Sequence, residues 1–497
     1  MTYEEFNSTL AKSSNAAREF QNFINGQPTP SASGQTMQVV NPATDAVLAS
    51  VPASTKADID AAVAAAKHQF EKGEWSKMSG AQRGRLLNKL ADLVERDAVV
   101  LGMMDALSIG RPFVETQMLD LPHSIDCIRY YAGWADKIMG QQVPTPGYFG
   151  NPTLSYTLRE PIGVVGAITP WNTPFMITWW KLGPALATGC TVVIKPSEET
   201  PLSALHLARL MQEAGFPDGV LNVVTGTGEA AGDALVRHPD VNKISFTGSP
   251  ETGRLIAKNA ADTFKRVGLE LGGKSPQIIL KDANLEAAIG GTAMGLFFNQ
   301  GQVCAAGTRV LVHRSQIDQV AEALAGAASG IKLGDPLEAT TQMGTLASKS
   351  QFDRVSNYIK IGQAEGATML AGGASEMDKG FYVRPTIFAQ ANNNMRIAQE
   401  EIFGPVGTII PFDDEEEAIA IANGTQYGLA ASIWTRDISR AHLLARQVKA
   451  GAVWINCWAA IDPRLPWGGY KTSGIGRENG YSGILAFTEE KAVTVAL

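Results

Sequence analysis

The sequence predicts an α/β protein with a dinucleotide-type parallel sheet, a second α/β unit and a small β arm, and three observations carry that prediction. From Pro161 to Glu270, short β-branched runs (IGVVGAIT, TVVIKPS, GVLNVVTG, VNKISFTG) alternate with amphipathic helical ones (MITWWKLGPALATG, PLSALHLARLMQEAG, ETGRLIAKNAAD). Strand–helix alternation with short connections gives a parallel sheet, right-handed crossovers and helices on both faces. A second alternating series starts near Ser275 with SPQIIL and continues to about Gly474. The Pro/Gly-rich QVPTPGYFGNPTLSYTLRE then reads as an exposed strand pair, with the terminal EEKAVTVAL as its partner strand. Earlier in the chain, DIDAAVAAAKHQFE and RGRLLNKLADLVERDAVVLGMMDALS have helical periodicity.

This organisation assigns residues 1–139 and 161–270 to the cofactor domain, 271–474 to the second domain, and 140–160 with 475–497 to a bridging arm. At 497 residues the chain exceeds what one hydrophobic core serves. A net charge of −7 without a basic block argues against nucleic acid as a partner. Four cysteines, Cys127, Cys190, Cys304 and Cys457, form no CxxC pair, and six histidines are scattered without ligand spacing, so neither a disulfide framework nor a metal is expected. The amino-terminal MTYEEFNSTLAKSS carries acids early and lacks an apolar run, which argues against a secretory signal and for a cytoplasmic protein. The longest apolar region, Ile162 to Ile194, is interrupted by Pro170, Asn172, Pro174, Lys181 and Pro184, so it reads as α/β interior and not as a membrane span. The acidic DDEEEA at Asp413–Ala418 fits a solvated first turn of a helix.

Five segments carry chemistry. KPSEETP places Lys195 and Glu198 after a strand, at the edge where open α/β sheets bind ligands. A carboxylate there accepts ribose hydroxyls and repels an added 2′-phosphate, which favours NAD over NADP; a helix-capping turn explains the same residues equally well when taken alone. SFTGSPETG sets Gly248, Ser249 and Gly253 at a helix opening, where backbone N–H groups suit a pyrophosphate, although the spacing is not G-x-G-x-x-G and a ligand-free turn is an equal alternative. In LELGGKSP, Glu270 ends a strand and can serve as a general base, although most glutamates are merely solvated. In PWNTP, Asn172 sits in a proline-framed turn and can donate to an oxyanion, or be an ordinary turn residue. FFNQGQVCAAGTR sets Cys304 among Gly, Gln, Asn and Ala, where a structural cysteine would be expected in apolar packing.

Together, ITPWN, KPSEETP, FTGSPETG, LELGGKSP, FFNQGQVC, EEIFGPV and LPWGGYKTSGIGRE, in this order, resemble the NAD(P)-dependent aldehyde dehydrogenase superfamily of the hydrolytic, non-acylating kind. The resemblance covers nearly the whole chain. It implies the aldehyde dehydrogenase fold, with a Rossmann-like cofactor domain, an α/β catalytic domain and a β oligomerisation arm. It implies that Cys304 is the nucleophile, that Asn172 and the Cys304 N–H hold an oxyanion, that Glu270 activates the hydrolytic water, and that Lys181 supports Asn172 and Glu270. Relatives that transfer the acyl group to coenzyme A typically lack this glutamate. Cofactor contacts carry over to Ile168, Thr169, Pro170 and Trp171, to Lys195 and Glu198 at the adenosine ribose, to Gly228 and Phe246, to Gly248, Ser249 and Gly253 near the pyrophosphate, and to Glu401 and Phe403 at the nicotinamide end. Cys190, Cys127 and Cys457 read as packing residues, Cys457 near the pocket. A homo-oligomer is implied by the arm.

The sequence departs from relatives at Thr173, where many have an aromatic after the asparagine, and at LSIGRP (Leu107–Pro112), where an acid usually precedes the Gly-Lys/Arg-Pro. The positions expected to line the substrate path are Thr173, Met176, Ile177, Trp180, Phe298, Val303, Trp458, Ile461 and Trp467, an apolar and aromatic wall suited to an aryl or alkyl aldehyde. The one nearby basic candidate for a charged semialdehyde is Arg464. The IDPRLPWGG segment resembles members that oxidise aryl-acetaldehydes. The rival readings are an aminoaldehyde or betaine-aldehyde enzyme, whose cation would also favour an aromatic box, and a non-catalytic protein of the same fold, as found in some lenses.

Overall fold

The computed structural model describes residues 8, 19–374, 377 and 379–497. The amino-terminal stretch from which the absence of a secretory signal was read lies, apart from position 8, outside the described residues. Among the described residues no helix is long and apolar enough to cross a membrane.

The alternating run after Pro161 forms the centre of an eight-stranded sheet, in the order Gly474–Ile475, Arg266–Glu270, Lys243–Thr247, Val164–Ile168, Thr191–Lys195, Leu221–Val223, Asn22–Ile24, Gln27–Thr29. The strands from Arg266–Glu270 to Leu221–Val223 are parallel, and both edges are antiparallel. The chain passes from Val164–Ile168 outward to Leu221–Val223, then returns to lay Lys243–Thr247 on the other side of the first strand. The switch in direction therefore lies between the carboxyl ends of Val164–Ile168 and Lys243–Thr247, the place where such sheets open a crevice.

Helix Pro174–Thr188 explains the long apolar region, because every one of its residues is buried. It stops at Gly189, whose φ of 100° is a left-handed cap that glycine adopts without strain. The second series forms a seven-stranded sheet, parallel except at its Thr368–Ala374 edge. In the arm, Thr488–Ala496 pairs antiparallel with Thr153–Pro161, which also pairs with Gln142–Val143.

The structure adds detail to two of these readings. The long helical run after residue 80 is two helices, Gly80–Arg96 and Ala98–Ile109, broken at Asp97, whose carboxylate is held by Arg96 and by His206 Nε2 at 2.7 Å. The segment 475–497 does not serve the arm as a whole. Its first residue, Ile475, lies in strand Gly474–Ile475, which pairs with Leu269 and Glu270 on the eight-stranded sheet, and only Thr488–Ala496 joins the arm. The helix that begins after Asp413 is as expected, with Asp414 capping it by accepting the Glu417 N–H at 2.9 Å.

Candidate active site

Cys304 follows a loop with unusual backbone. Asn299 and Gln300 have φ of 49° and 55° and Gly301 has 67°, so the chain makes a left-handed stretch just before the cysteine. Such φ values cost a non-glycine residue about 1–3 kcal/mol and persist only where surrounding bonds impose them. Here the Asn299 side-chain amide donates to Asn172 O at 2.9 Å and to Gln302 O at 3.3 Å, Gln300 Nε2 donates to Thr345 O at 3.0 Å, and Gln302 Oε1 accepts from Ala347 N at 3.0 Å. The result is a half-buried Cys304. Burial pushes its thiol up to about 12, the Glu401 and Glu270 carboxylates push the same way, and the N–H groups of Ala305 and Cys304 oppose them. The thiol is therefore protonated at neutral pH in the free protein and needs a base or a bound partner to become a nucleophile.

The turn after strand Val164–Ile168 carries Asn172 onto the same loop, where its side-chain amide donates to Gln302 O at 2.9 Å. One of its two N–H donors is spent there, leaving the other. Glu270, at the end of the neighbouring strand, is buried, and neither carboxyl oxygen has a hydrogen-bond partner. Burial, with the Glu478 carboxylate, pushes its carboxyl well above the usual range against Lys181 and Arg477. Gly468 is required beside it: a Cβ there would stand 2.7 Å from Glu270 Oε1, on a backbone with φ of 150°. Lys181 reaches from the buried helix to donate to Thr247 Oγ1 at 2.7 Å and to Glu478 Oε1 at 2.6 Å.

A cavity of about 440 Å³ opens at the switch point and reaches Cys304. Its walls include Pro170, Trp171, Asn172, Gly248, Ser249, Glu401 and Phe403, so these predicted residues are brought together with the cysteine. Ser249 caps helix Pro250–Ala260 by accepting the Thr252 N–H at 3.2 Å. Glu401 Oε1 accepts from Gly273 N at 3.0 Å, and Phe403 meets Trp171 edge-on at 5.2 Å. Burial pushes the Glu401 carboxyl up to about 7.

Ile168, Thr169, Lys195, Glu198, Gly228, Phe246 and Gly253 do not border this cavity. Ile168, Thr169, Phe246 and Lys195 are buried near the ends of adjacent strands. Lys195 Nζ donates to Glu198 Oε2 at 3.0 Å, and although burial works to raise the Glu198 carboxyl, Lys195 holds it below the ordinary value. Gly228 starts the turn Gly228–Gly232, and Gly253 packs on Leu271, whose Cδ2 would be 2.7 Å from an added Cβ. Gly253 thus serves helix–strand contact.

The expected tunnel residues meet in one cluster. Buried Met176, Ile177, Trp180 and Trp467 form part of the core against which Val303, Cys304, Cys457, Trp458 and Ile461 pack, while Cys127 and Cys190 are wholly buried. Ring contacts run from Trp180 to Trp467 at 5.6 Å, Trp467 to Trp454 at 6.2 Å, Trp454 to Trp458 at 6.5 Å, and Trp458 to Phe298 at 6.1 Å. Thr173 is buried at the start of the helix. Arg464 is 73% exposed and bonded to Asp462 through Nε at 2.7 Å, so it does not offer a free cation to the cluster.

Sequence reasoning missed several residues here. Glu478 lies inside the quoted LPWGGYKTSGIGRE motif, yet nothing local marks it as the partner of Lys181. His123 accepts the Trp180 indole N–H at 2.9 Å and fixes that wall residue. Gln351, Arg354, Tyr358 and Tyr427 also border the cavity, with no sequence signal beyond ordinary helix and loop polarity.

A family model described as "Aldehyde dehydrogenase family" matches residues 29–493. The Bacillus subtilis (strain 168) protein DhaS is 50% identical over 475 residues, covering 96% of this chain and 95% of that protein. The mitochondrial aldehyde dehydrogenase of Homo sapiens is 46% identical over 477 residues, 96% of this chain and 92% of its own. The solved NAD+ complex of aldehyde dehydrogenase from Bacillus cereus superposes with a TM-score of 0.95 at 47% identity, covering 99% of this chain and 98% of that one. The chain belongs to the aldehyde dehydrogenase family.

Proposed function

We propose that the protein is an NAD-dependent, hydrolytic aldehyde dehydrogenase acting on hydrophobic, chiefly aromatic, aldehydes. The observation that carries the reading is the pairing of a half-buried thiol, Cys304, with a buried carboxyl, Glu270, whose oxygens are spent on no other group. A solvated glutamate would not hold two buried carboxyl oxygens without partners, and Cys457, though also half-buried, does not border the cavity that Cys304 reaches. That Cys304, Glu270 and Asn172 are all present also argues against a non-catalytic member of the fold.

The residues fit the cofactor. Gly248 and Ser249 at the mouth of helix Pro250–Ala260 suit the pyrophosphate, Glu401 and Phe403 suit the nicotinamide end, and Glu198, with 43% of its side chain exposed beside Lys195, suits the adenosine ribose. A fixed carboxylate at that ribose favours NAD over NADP. When bound, NAD supplies the acceptor for the hydride that leaves the aldehyde carbon.

The chain's own groups do the rest. Cys304 Sγ attacks the carbonyl carbon as its thiol proton passes to water in the open cavity, and the second Asn172 N–H with the Cys304 N–H holds the resulting oxyanion, a class of interaction worth roughly 10²–10³ in rate. Once the acyl group is a thioester on Cys304, Glu270 takes a proton from water, which displaces the sulfur and releases the carboxylic acid. Lys181 and Glu478 hold positions behind Glu270 and tune its charge.

Substrate class rests on the linked rings of Trp180, Trp467, Trp454, Trp458 and Phe298, and on Arg464 being spent on Asp462. Each buried CH₂ of an apolar aldehyde gains about 0.8 kcal/mol in such a wall. We assign residues 1–139 with 161–270 to cofactor binding, 271–474 to catalysis and the arm to self-association. Exposed Tyr148, Phe149, Leu154, Leu158 and Val495 around the arm support the last assignment. Four unpaired cysteines suit a reducing, cytoplasmic setting.

The test is NADH absorbance with phenylacetaldehyde, benzaldehyde, an alkanal, succinic semialdehyde and an aminoaldehyde, beside Cys304→Ala. Turnover of the aryl and alkyl aldehydes that disappears in the variant is the expected result. Turnover of the aminoaldehyde or semialdehyde alone overturns the apolar substrate class, and activity in Cys304→Ala overturns the nucleophile.

A further inference from the structure

The LSIGRP segment leads to a buried ion cluster that the reaction scheme above does not use. Arg111, wholly buried, bonds Asp120 Oδ2 through Nη1 at 2.7 Å and Glu115 Oε2 through Nε at 3.2 Å and Nη2 at 3.1 Å. The same Glu115 oxygen accepts the backbone N–H of Asn299 at 3.2 Å, across 184 residues of sequence. One oxygen thus receives three N–H donors, two from a guanidinium and one from the first left-handed residue of the cysteine loop. Above this contact the Arg111 guanidinium sits 5.2 Å from the centre of the Phe298 ring, which precedes Asn299.

Asn299 is the point where this cluster meets the reacting groups. Its side-chain amide donates to Asn172 O and to Gln302 O, and Gln302 O also receives the Asn172 side chain. Asparagine enters the left-handed region more readily than glutamine, but two such residues in succession, Asn299 and Gln300, need external bonds to hold their positive φ. Gln300 and Gln302 are tied by side-chain bonds to the Thr345–Ala347 backbone, but the N–H of Asn299 is fixed by Glu115.

We propose that Glu115 is a positioning residue for the reaction. Oriented by Arg111, it fixes the backbone of Asn299, and through Asn299 it sets the Cys304 loop and the Asn172 donor in one geometry. A buried charge cluster is weak evidence for stability as such, so its use is better sought in what it orients. This inference rests on the reading of Cys304 as nucleophile, and it adds a residue from a different helix to that site.

The experiment compares Glu115→Ala and Glu115→Gln with the wild-type holoenzyme and reads the rate of Cys304 alkylation by iodoacetamide, kcat and the KM for NAD. Misplacement of a nucleophile by an ångström costs up to about 10²-fold. Glu115→Ala should therefore slow alkylation and lower kcat by on the order of tenfold or more, with the KM for NAD changing by no more than about twofold, since Gly248, Ser249, Glu401 and Phe403, the proposed cofactor contacts on that cavity, are not tied to Glu115. Glu115→Gln, which keeps one oxygen for the three N–H donors, should recover most of both rates; a role confined to stability gives no such split between kcat and KM. A folded Glu115→Ala protein with wild-type alkylation and kcat overturns the proposal, as does Glu115→Gln being as impaired as Glu115→Ala. If the alanine variant does not fold, Asn299→Gly decides: it tolerates the positive φ but loses both side-chain links, so tenfold slower alkylation supports the relay and unchanged alkylation refutes it. Cys304→Ala separates the two readings, because turnover in that variant removes the nucleophile assignment while alkylation kinetics of the other variants still report on the loop.

Discussion

Lys181→Met offers the most demanding test of the ion pair behind Glu270. The Lys181 side chain is fully buried and that of Glu478 is 6% exposed, their charged atoms 2.6 Å apart. Glu478 Oε1 also accepts from Ser245 Oγ at 3.0 Å, while Oε2 has no partner. Removing the lysine leaves a buried carboxylate with one hydroxyl and only the nearby Lys243 charge, with which it makes no ion pair, beside a second carboxyl at Glu270. Breaking a buried pair from one side costs about 3–5 kcal/mol, far more than the net worth of the pair, because the stranded ion cannot regain its hydration. The double variant Lys181→Met, Glu478→Gln removes that stranded charge and should recover more than half of the loss. Urea titration monitored by tryptophan emission measures both, as a shift in midpoint at constant slope. A single variant within about 1 kcal/mol of wild type, or a double variant no better than the single, would refute the reasoning.

Two further outcomes follow from other buried acids. Glu270→Gln should keep a first rapid release of NADH and lose steady turnover by about 10²–10⁴-fold, since a base contributes in that range. Because burial holds the wild-type Glu270 carboxyl well above the ordinary range, wild-type kcat should fall as pH drops through a value above about 4; a rate flat down to that pH sinks the assignment. Asp105 is buried and accepts the Phe175 N–H at 3.2 Å, and burial pushes its carboxyl up to about 7. The folded protein then binds this proton more tightly than the unfolded chain, so the group subtracts stability as pH rises from about 4 to 7 and does so fully above that. Asp105→Asn keeps an acceptor for Phe175 and should gain on wild type by up to about 4 kcal/mol at pH 8 and by little at pH 4. Equal differences in urea midpoint at the two pH values would count against it.

Of the residues proposed for catalysis, Cys304 stood out in the sequence by its uncharged glycine- and glutamine-rich loop, whereas Asn172 and Glu270 stood out only through the resemblance carried by seven segments in order. The parallel sheets were legible from period and spacing alone. What escaped was long-range pairing of ordinary residues. Glu478 meets Lys181 across 297 positions, and Glu115 meets Asn299 across 184, and nothing local to Glu478 or Glu115 marks the pairing. The break at Asp97 escaped in part because the histidine that its carboxylate meets lies on a distant helix. Ile168, Phe246 and Gly253, expected at the cofactor from family positions, make packing contacts in the structure that composition could not separate from ligand contacts.

Helix Pro174–Thr188 has a consequence for how the specificity of such an enzyme can change. It carries Met176, Ile177 and Trp180, proposed above for the substrate wall, the charged Lys181 one position later, and Asn172 two residues before its first turn, and it has no solvent face. A substitution that reshapes the tunnel from this side therefore also perturbs the groups that handle charge during turnover. The opposite wall, around Trp458 and Ile461, lies in a partly exposed loop that meets the cysteine loop through the Trp458 indole N–H, which donates to Ala305 O at 3.2 Å, while Ile461 bonds within the loop to Ala459 O. Natural divergence and engineering alike should find new substrates through that loop, with the helix held nearly constant.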